Sequence, residues 1–152
     1  RRFNFVQIPV VTNKKSEHEI IMFRVGELLA RNRFEVDVPP ALLDILLQTF
    51  ADLREASAAE SSDDGRLESA LSTAEQIGVL EDAVLHGQFF GEQSLAPDTL
   101  ARSMVGTLVR RIPEDVSILN KFWHAVVDKR ADKGDDWSAF RDGGKDALGK
   151  MS

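Results

Sequence analysis

The sequence predicts a mainly α protein, a helical bundle preceded by one N-terminal β-strand. Three observations carry this. Apolar residues recur at three- and four-residue spacing through most of the 152 positions. Prolines at 39–40, 97 and 113 stand at the heads of such runs, where a missing amide is tolerated. At the front, Phe3 and Phe5 keep the two-residue alternation of a strand, with Pro9 ending its pairing.

A lone strand has nowhere to place its hydrogen bonds, so the opening segment is expected to belong to a sheet supplied by further chain. A polar turn at Thr12–Lys15 follows. Ser16 and Glu19 have capping-box spacing and are expected to open the first helix, which runs to about Asn32. Its apolar stripe is wide, comprising Ile20, Ile21, Met22, Phe23, Val25, Leu28 and Leu29. Residues Arg33–Val38 alternate as a short extended segment.

The second helix starts at Pro39-Pro40 and is apolar nearly all round through Leu42, Leu43, Ile45, Leu46, Leu47, Phe50 and Leu53, so a central place is predicted. The Glu60–Gly65 stretch is the best loop signal in the chain. A second capping box at Ser72–Glu75 opens the third helix, which is expected to stop near His86-Gly87, leaving Phe89-Phe90-Gly91 as an aromatic turn. Pro97 begins a fourth helix and Pro113 a fifth, with Glu114 and Asp115 at its dipole-favoured end. Val116, Leu119, Phe122, Trp123 and Val126 form the fifth helix's buried face. From Ala131 the chain is rich in Gly and Asp, and is expected to be partly loose, with Trp137 and Phe140 docking a short last helix.

Composition narrows the function classes. A net charge of −6 with scattered basic residues argues against a dedicated nucleic-acid binder, whose affinity comes from clustered Lys and Arg; a helix-turn-helix DNA reader suits the helix lengths but not the charge. Charges interrupt every apolar run, so no membrane span is expected, and Arg1-Arg2 is not followed by a signal-peptide core. The absence of cysteine removes thiolate metal sites and fits a cytoplasmic setting.

No complete catalytic motif is present. Gly143-Gly144-Lys145 is not a phosphate loop, because Asp146 follows the lysine and no strand leads in. His18, His86 and His124 lack metal-ligand spacing, and the acidic residues Asp63, Asp64, Asp128, Asp132, Asp135 and Asp136 do not follow a calcium loop. Phe89, Phe90, Phe122 and Trp123 are expected to fill core.

Two stretches carry a resemblance. Arg2-Phe3-Asn4-Phe5-Val6-Gln7-Ile8-Pro9 resembles the segment that closes the core of MoxR-like AAA+ ATPases, and Lys14–Ile21 resembles the start of their first lid helix. Leu71-Ser72-Thr73-Ala74 resembles the segment called sensor 2. The resemblance covers roughly residues 1–112 and divides the chain into a last core strand (1–12), a helical lid (13–112) and a C-terminal helical extension (113–152). It implies that Arg2 acts as an arginine finger on the γ-phosphate of a neighbouring subunit in a homo-oligomeric ring. It implies ATP and Mg2+ as cofactors of the full-length protein, and neither for this segment alone, which lacks a phosphate loop. It also implies a chaperone-like action on a client and a partner carrying a von Willebrand A domain.

The sensor 2 match departs from the family at one place: Ala74 stands where an arginine would reach the nucleotide. Either another residue, with Arg66 and Arg102 the nearest basic ones, approaches the phosphates, or this helix does not sense them and Ser72 serves only as a cap. The competing reading from residues alone is a self-contained, acidic helical interaction module without nucleotide.

Overall fold

In the computed structural model the described residues are 13–60, 65–67, 69, 71–91 and 93–152. They form α1 (Lys14–Asn32), α2 (Pro40–Ala59), α3 (Thr73–Phe90), α4 (Pro97–Leu108) and α5 (Glu114–Phe122). A π-helical turn (Trp123–Val127), α6 (Asp128–Arg130), a 3-10 turn (Ala131–Lys133) and α7 (Asp135–Met151) follow without a long break. The predicted mainly α class is observed. The expected N-terminal strand lies outside the described residues.

α1 begins three residues earlier than the Ser16 box predicts. Asn13 is its N-cap, with Oδ1 accepting from the amides of Lys15 (3.0 Å) and Ser16 (3.2 Å). Asn competes well for this role because its short side chain reaches amides that have no partner in the helix. Ser16 is therefore already helical, and Glu17 turns inward. The apolar stripe is also narrower than predicted: Ile21 and Val25 are buried, whereas Ile20, Met22 and Phe23 face outward.

α2 starts with Pro40 at its first position and buries Leu42, Leu43, Ile45, Leu46, Leu47, Phe50 and Leu53, as its all-round apolar sequence predicts. The Arg33–Val38 segment is reduced to a single parallel bridge. The Asp37 amide donates to Gln93 O and the Leu95 amide to Asp37 O, both at 2.9 Å, joining the α1–α2 and α3–α4 connections.

α3 does not stop at Gly87. It continues to Phe90, and Gly91 is the C-cap. Gly87 is kept small by packing: a Cβ there would lie 3.2 Å from Ser94 O and 3.5 Å from a Val36 methyl. The predicted aromatic turn is thus the last turn of α3, and Phe89 and Phe90 do not fill core; they are 65% and 81% exposed. Phe89 meets Phe34 edge-on at 5.7 Å, and Phe90 lies against His86.

The C-terminal stretch is the largest correction. In place of a loose tail with a short helix, α7 is a 17-residue helix lying closely along α4. Two adjacent glycines permit this approach. A Cβ on Gly143 would lie 2.5 Å from the Asp98 backbone, and one on Gly144 would lie 2.2 Å from the Trp123 ring. Trp123 is fully buried, stacked on Phe140 at 5.7 Å, with its indole N–H donating to Arg141 O at 3.2 Å. Arg130 chelates Asp52 of α2 through Nε and Nη2 (2.7 and 2.8 Å) and lies over Trp137, fastening the start of α7 to α2.

One hydrophobic cluster runs from Ile21 of α1 to Leu148 of α7. No helix among the described residues is long and apolar enough to cross a membrane.

Candidate functional site at the amino end of α3

The residues around the start of α3 are held by two carboxylates, each carried there from a different direction. Glu17, in the first turn of α1, is 1% exposed. Its Oε1 accepts from Arg54 Nη2 of α2 (2.7 Å), Gln76 Nε2 (3.0 Å) and Thr73 Oγ1 (3.3 Å). A buried charge is stable only when paired and hydrogen-bonded, and these three donors, from two other helices, meet that need. Arg54 Nε also donates to Leu71 O at 2.7 Å. That contact fixes Leu71 in the left-handed region (φ 51°), which a leucine rarely adopts unless its surroundings compel it.

Glu75 is the second carboxylate. The capping box predicted at Ser72–Glu75 is present. Glu75 Oε2 accepts from the Ser72 amide at 2.6 Å and from Ser72 Oγ at 3.2 Å. Its Oε1 accepts from Ser69 Oγ at 2.6 Å and from Arg110 Nη2 at 2.8 Å. Burial works against this charge, but the hydrogen bonds from Ser69 and Ser72 and the nearby Arg110 outweigh it, so Glu75 sits below its ordinary carboxylate value.

Asp115 repeats the pattern where α5 begins. It is fully buried; Oδ2 accepts from the amides of Arg110 (3.0 Å) and Arg111 (2.9 Å), and Oδ1 accepts from Arg111 Nη2 (3.0 Å). Burial again opposes the charge, and these donors more than offset it, so its pKa is lowered. Arg111 Nη2 also reaches Arg66 O at 3.0 Å, tying the loop before α3 to the α4–α5 connection.

The sequence-predicted residues fall as follows. Ser72 is the N-cap of α3; Thr73, the first helical residue, hydrogen-bonds to Glu17; Ala74 is exposed. Arg66 is exposed near the same end, with Nη2 donating to Glu60 O at 2.8 Å. Arg102 is not among them: it lies on α4, paired with Asp98 and Asp146 on the α7 side. Arg2 lies outside the described residues. Sequence reasoning missed Glu17, Arg54, Gln76 and Arg110. A glutamate one residue from a capping serine reads as helix-dipole decoration, and only the tertiary fold turns it inward.

Comparison with known proteins decides the family. The model of the YehL-like AAA+ ATPase C-terminal domain matches residues 15–143. The chain belongs to this family. It is also similar to the protein YehL of Escherichia coli (strain K12), 29% identical over 140 residues, covering 92% of this chain and 38% of that relative. No solved structure matches. The YehL-like match begins at Lys15 and ends at Gly143, so it takes in both carboxylate hubs, the Ser72–Ala74 segment and the first half of α7.

Proposed function

We propose that the chain is the C-terminal lid of a longer, MoxR-like AAA+ ATPase that couples ATP binding and hydrolysis to remodelling or maturation of a partner protein. The observation that carries this reading is the YehL-like AAA+ family match across residues 15–143. The chain spans 38% of its Escherichia coli relative, which leaves room there for a nucleotide-handling core.

The geometry supports a coupling role. Arg54 and Glu17 join α1, α2 and the start of α3 through one buried polar centre, so a push on the Ser72–Ala74 segment is shared with the helix that follows residue 13. The donor set at this end also suits phosphate, since Arg66 and Arg110 both present exposed guanidinium groups. ATP would supply the phosphoanhydride whose hydrolysis drives the cycle. Magnesium would be held with ATP on the core; among the described residues no three His, Asp or Glu side chains converge.

The same reading includes a homo-oligomeric ring in the cytoplasm, Arg2 acting on the γ-phosphate of a neighbour, and a von Willebrand A domain protein as partner. In this scheme the chain by itself does not hydrolyse ATP. A second reading, an acidic helical interaction module without nucleotide, draws on the outward-facing Phe23, Phe89 and Phe90 and on an apolar groove of about 670 Å³ between α2 and α5.

Titration of the full-length protein and of the present chain with ATP, followed by phosphate release, tests the proposal. Full-length protein is expected to bind and hydrolyse ATP while the chain alone does not hydrolyse it. Arg2→Ala is expected to lower the hydrolysis rate while leaving ATP affinity intact. Full-length protein that neither binds nor hydrolyses ATP overturns the proposal in favour of the interaction module.

A further inference from the structure

We infer that the groove between α2 and α5 receives one amphipathic helix of a partner protein, whose groove-facing stripe runs from a basic residue through apolar residues to an acidic one. The inference goes beyond the nucleotide reading and stands whether or not the full-length protein hydrolyses ATP.

The groove holds about 670 Å³ and is built by two helical stripes. α2 contributes Leu53, Ala56, Ser57 and Glu60; α5 contributes Glu114, Ser117, Ile118 and Lys121, each set at three- and four-residue spacing. Arg66 Nη2 on Glu60 O and Arg111 Nη2 on Arg66 O hold the end of α2 beside the start of α5, so the two helices run antiparallel along it. Leu53, Leu67 and Phe122 form a buried apolar floor. Ala56, Ser117 and Ala125 on the walls are small and exposed, which lets a third helix backbone approach as in helix-in-groove recognition.

A second feature lies at the far end. The π-helical turn at Trp123–Val127 follows α5, and Ala125 and Val126, neighbours in sequence, both line the groove. Such turns are rare and concentrate at functional sites, because the extra residue re-aims side chains.

The rim says what the occupant carries. Among the described residues Glu60, Glu114 and Lys121 form no ion pair, whereas Asp98, Asp128 and Asp146 are each engaged by a lysine or arginine. Both free carboxylates stand at the α2-end, α5-start side, and the connecting sequence 60–68 carries four acidic residues against one arginine. Lys121 lies two turns along α5 from Glu114, about 10 Å on the helix axis. A partner helix lying along α5 therefore matches with a basic residue at one position, an acidic residue seven later, and apolar residues between them. The floor supplies affinity, and the rim sets direction and register.

Titration of the full-length protein with a fluorescent, designed helical peptide tests this: Lys, two leucines and Glu on one face, with Lys and Glu seven positions apart. A second peptide has the Lys and Glu exchanged. The matched peptide is expected to bind about tenfold more tightly than the exchanged one, the sum of a few exposed charge pairs. Ser117→Arg, which fills the groove from an exposed position, should abolish binding with the thermal midpoint close to the parent's. Joint Glu60→Lys, Glu114→Lys and Lys121→Glu should invert the preference between peptides, and that inversion decides alone if Ser117→Arg lowers the midpoint. Equal binding of both peptides, or a preference unchanged by the charge exchange, overturns the inference. No binding up to about 1 mM peptide also overturns it, the result expected if a segment of the same polypeptide fills the groove. Self-association that Ser117→Arg abolishes would give the groove to a second copy and overturn the partner assignment.

Discussion

Arg54 of α2 reaches Glu17 of α1 at 2.7 Å, and the carboxylate it neutralises is 1% exposed. This pair is the bolt through the lid. It joins two helices that precede the Ser72–Ala74 segment to the segment itself, because the same carboxylate also receives Thr73 and Gln76.

Glu17→Gln removes the charge but keeps the shape, leaving Arg54 without its buried counter-ion. The expected loss is about 2–3 kcal/mol, the range for hydrogen bonds to charged groups. Urea unfolding of the chain measures it. A change within about 0.5 kcal/mol, as for an ordinary surface site, contradicts the placement.

Acid stability follows from Glu75 and Asp115. Both have folded-state pKa values below their ordinary values of 4.5 and 3.8. Groups lowered on folding contribute stability that is present above the unfolded pKa and lost as pH falls through the folded one. Stability is thus expected to hold from pH 7 to about pH 5 and to fall progressively below about pH 4.5. Glu75→Gln with Asp115→Asn should be less stable at pH 7 and lose less on acidification, as thermal midpoints across pH will show.

Gly144→Ala places a methyl 2.2 Å from a ring atom of the buried Trp123, which cannot retreat because it is stacked on Phe140. Alanine is the better helix former by about 1 kcal/mol. Overpacking costs about 1–3 kcal/mol and sometimes more, and with so close an approach it is expected to win. The net result is a lower thermal midpoint with quenched or shifted Trp123 fluorescence. An unchanged or raised midpoint refutes the contact between α7 and Trp123 as described.

Phe90→Ser is expected to leave stability within about 0.5 kcal/mol, since the ring is 81% exposed and touches chiefly His86. Differential scanning calorimetry distinguishes this from the several kcal/mol that a core phenylalanine would cost.

Much of the fold was legible because its signals are local. Pro40 and Pro97 sit at the first position of their helices, Pro113 caps α5, and the Ser72–Glu75 box opens α3 as spacing predicts. The misses came where tertiary contact overrides local preference. Gly87 reads as a helix stop, yet α3 runs through it to Phe90, and its small size answers to Ser94 O and a Val36 methyl, which a Cβ there would crowd. Gly143 and Gly144 read as signs of a loose tail, yet they are the contact that lets α7 reach α4 and Trp123. The candidate site was half legible: Ser72 and Thr73 announce themselves by motif, while Glu17 and Arg110 reach this turn only across 35 residues or more of chain and Arg54 across 17.

Hydrogen–deuterium exchange on the full-length protein, with and without saturating ATP, addresses the central claim that the amino end of α3 faces nucleotide. The amides of Thr73 and Ala74, which lack partners within the helix, and those of Glu75 and Gln76 behind them are predicted to exchange more slowly when ATP is bound. Bound ATP with no change in exchange across residues 72–76 would contradict it.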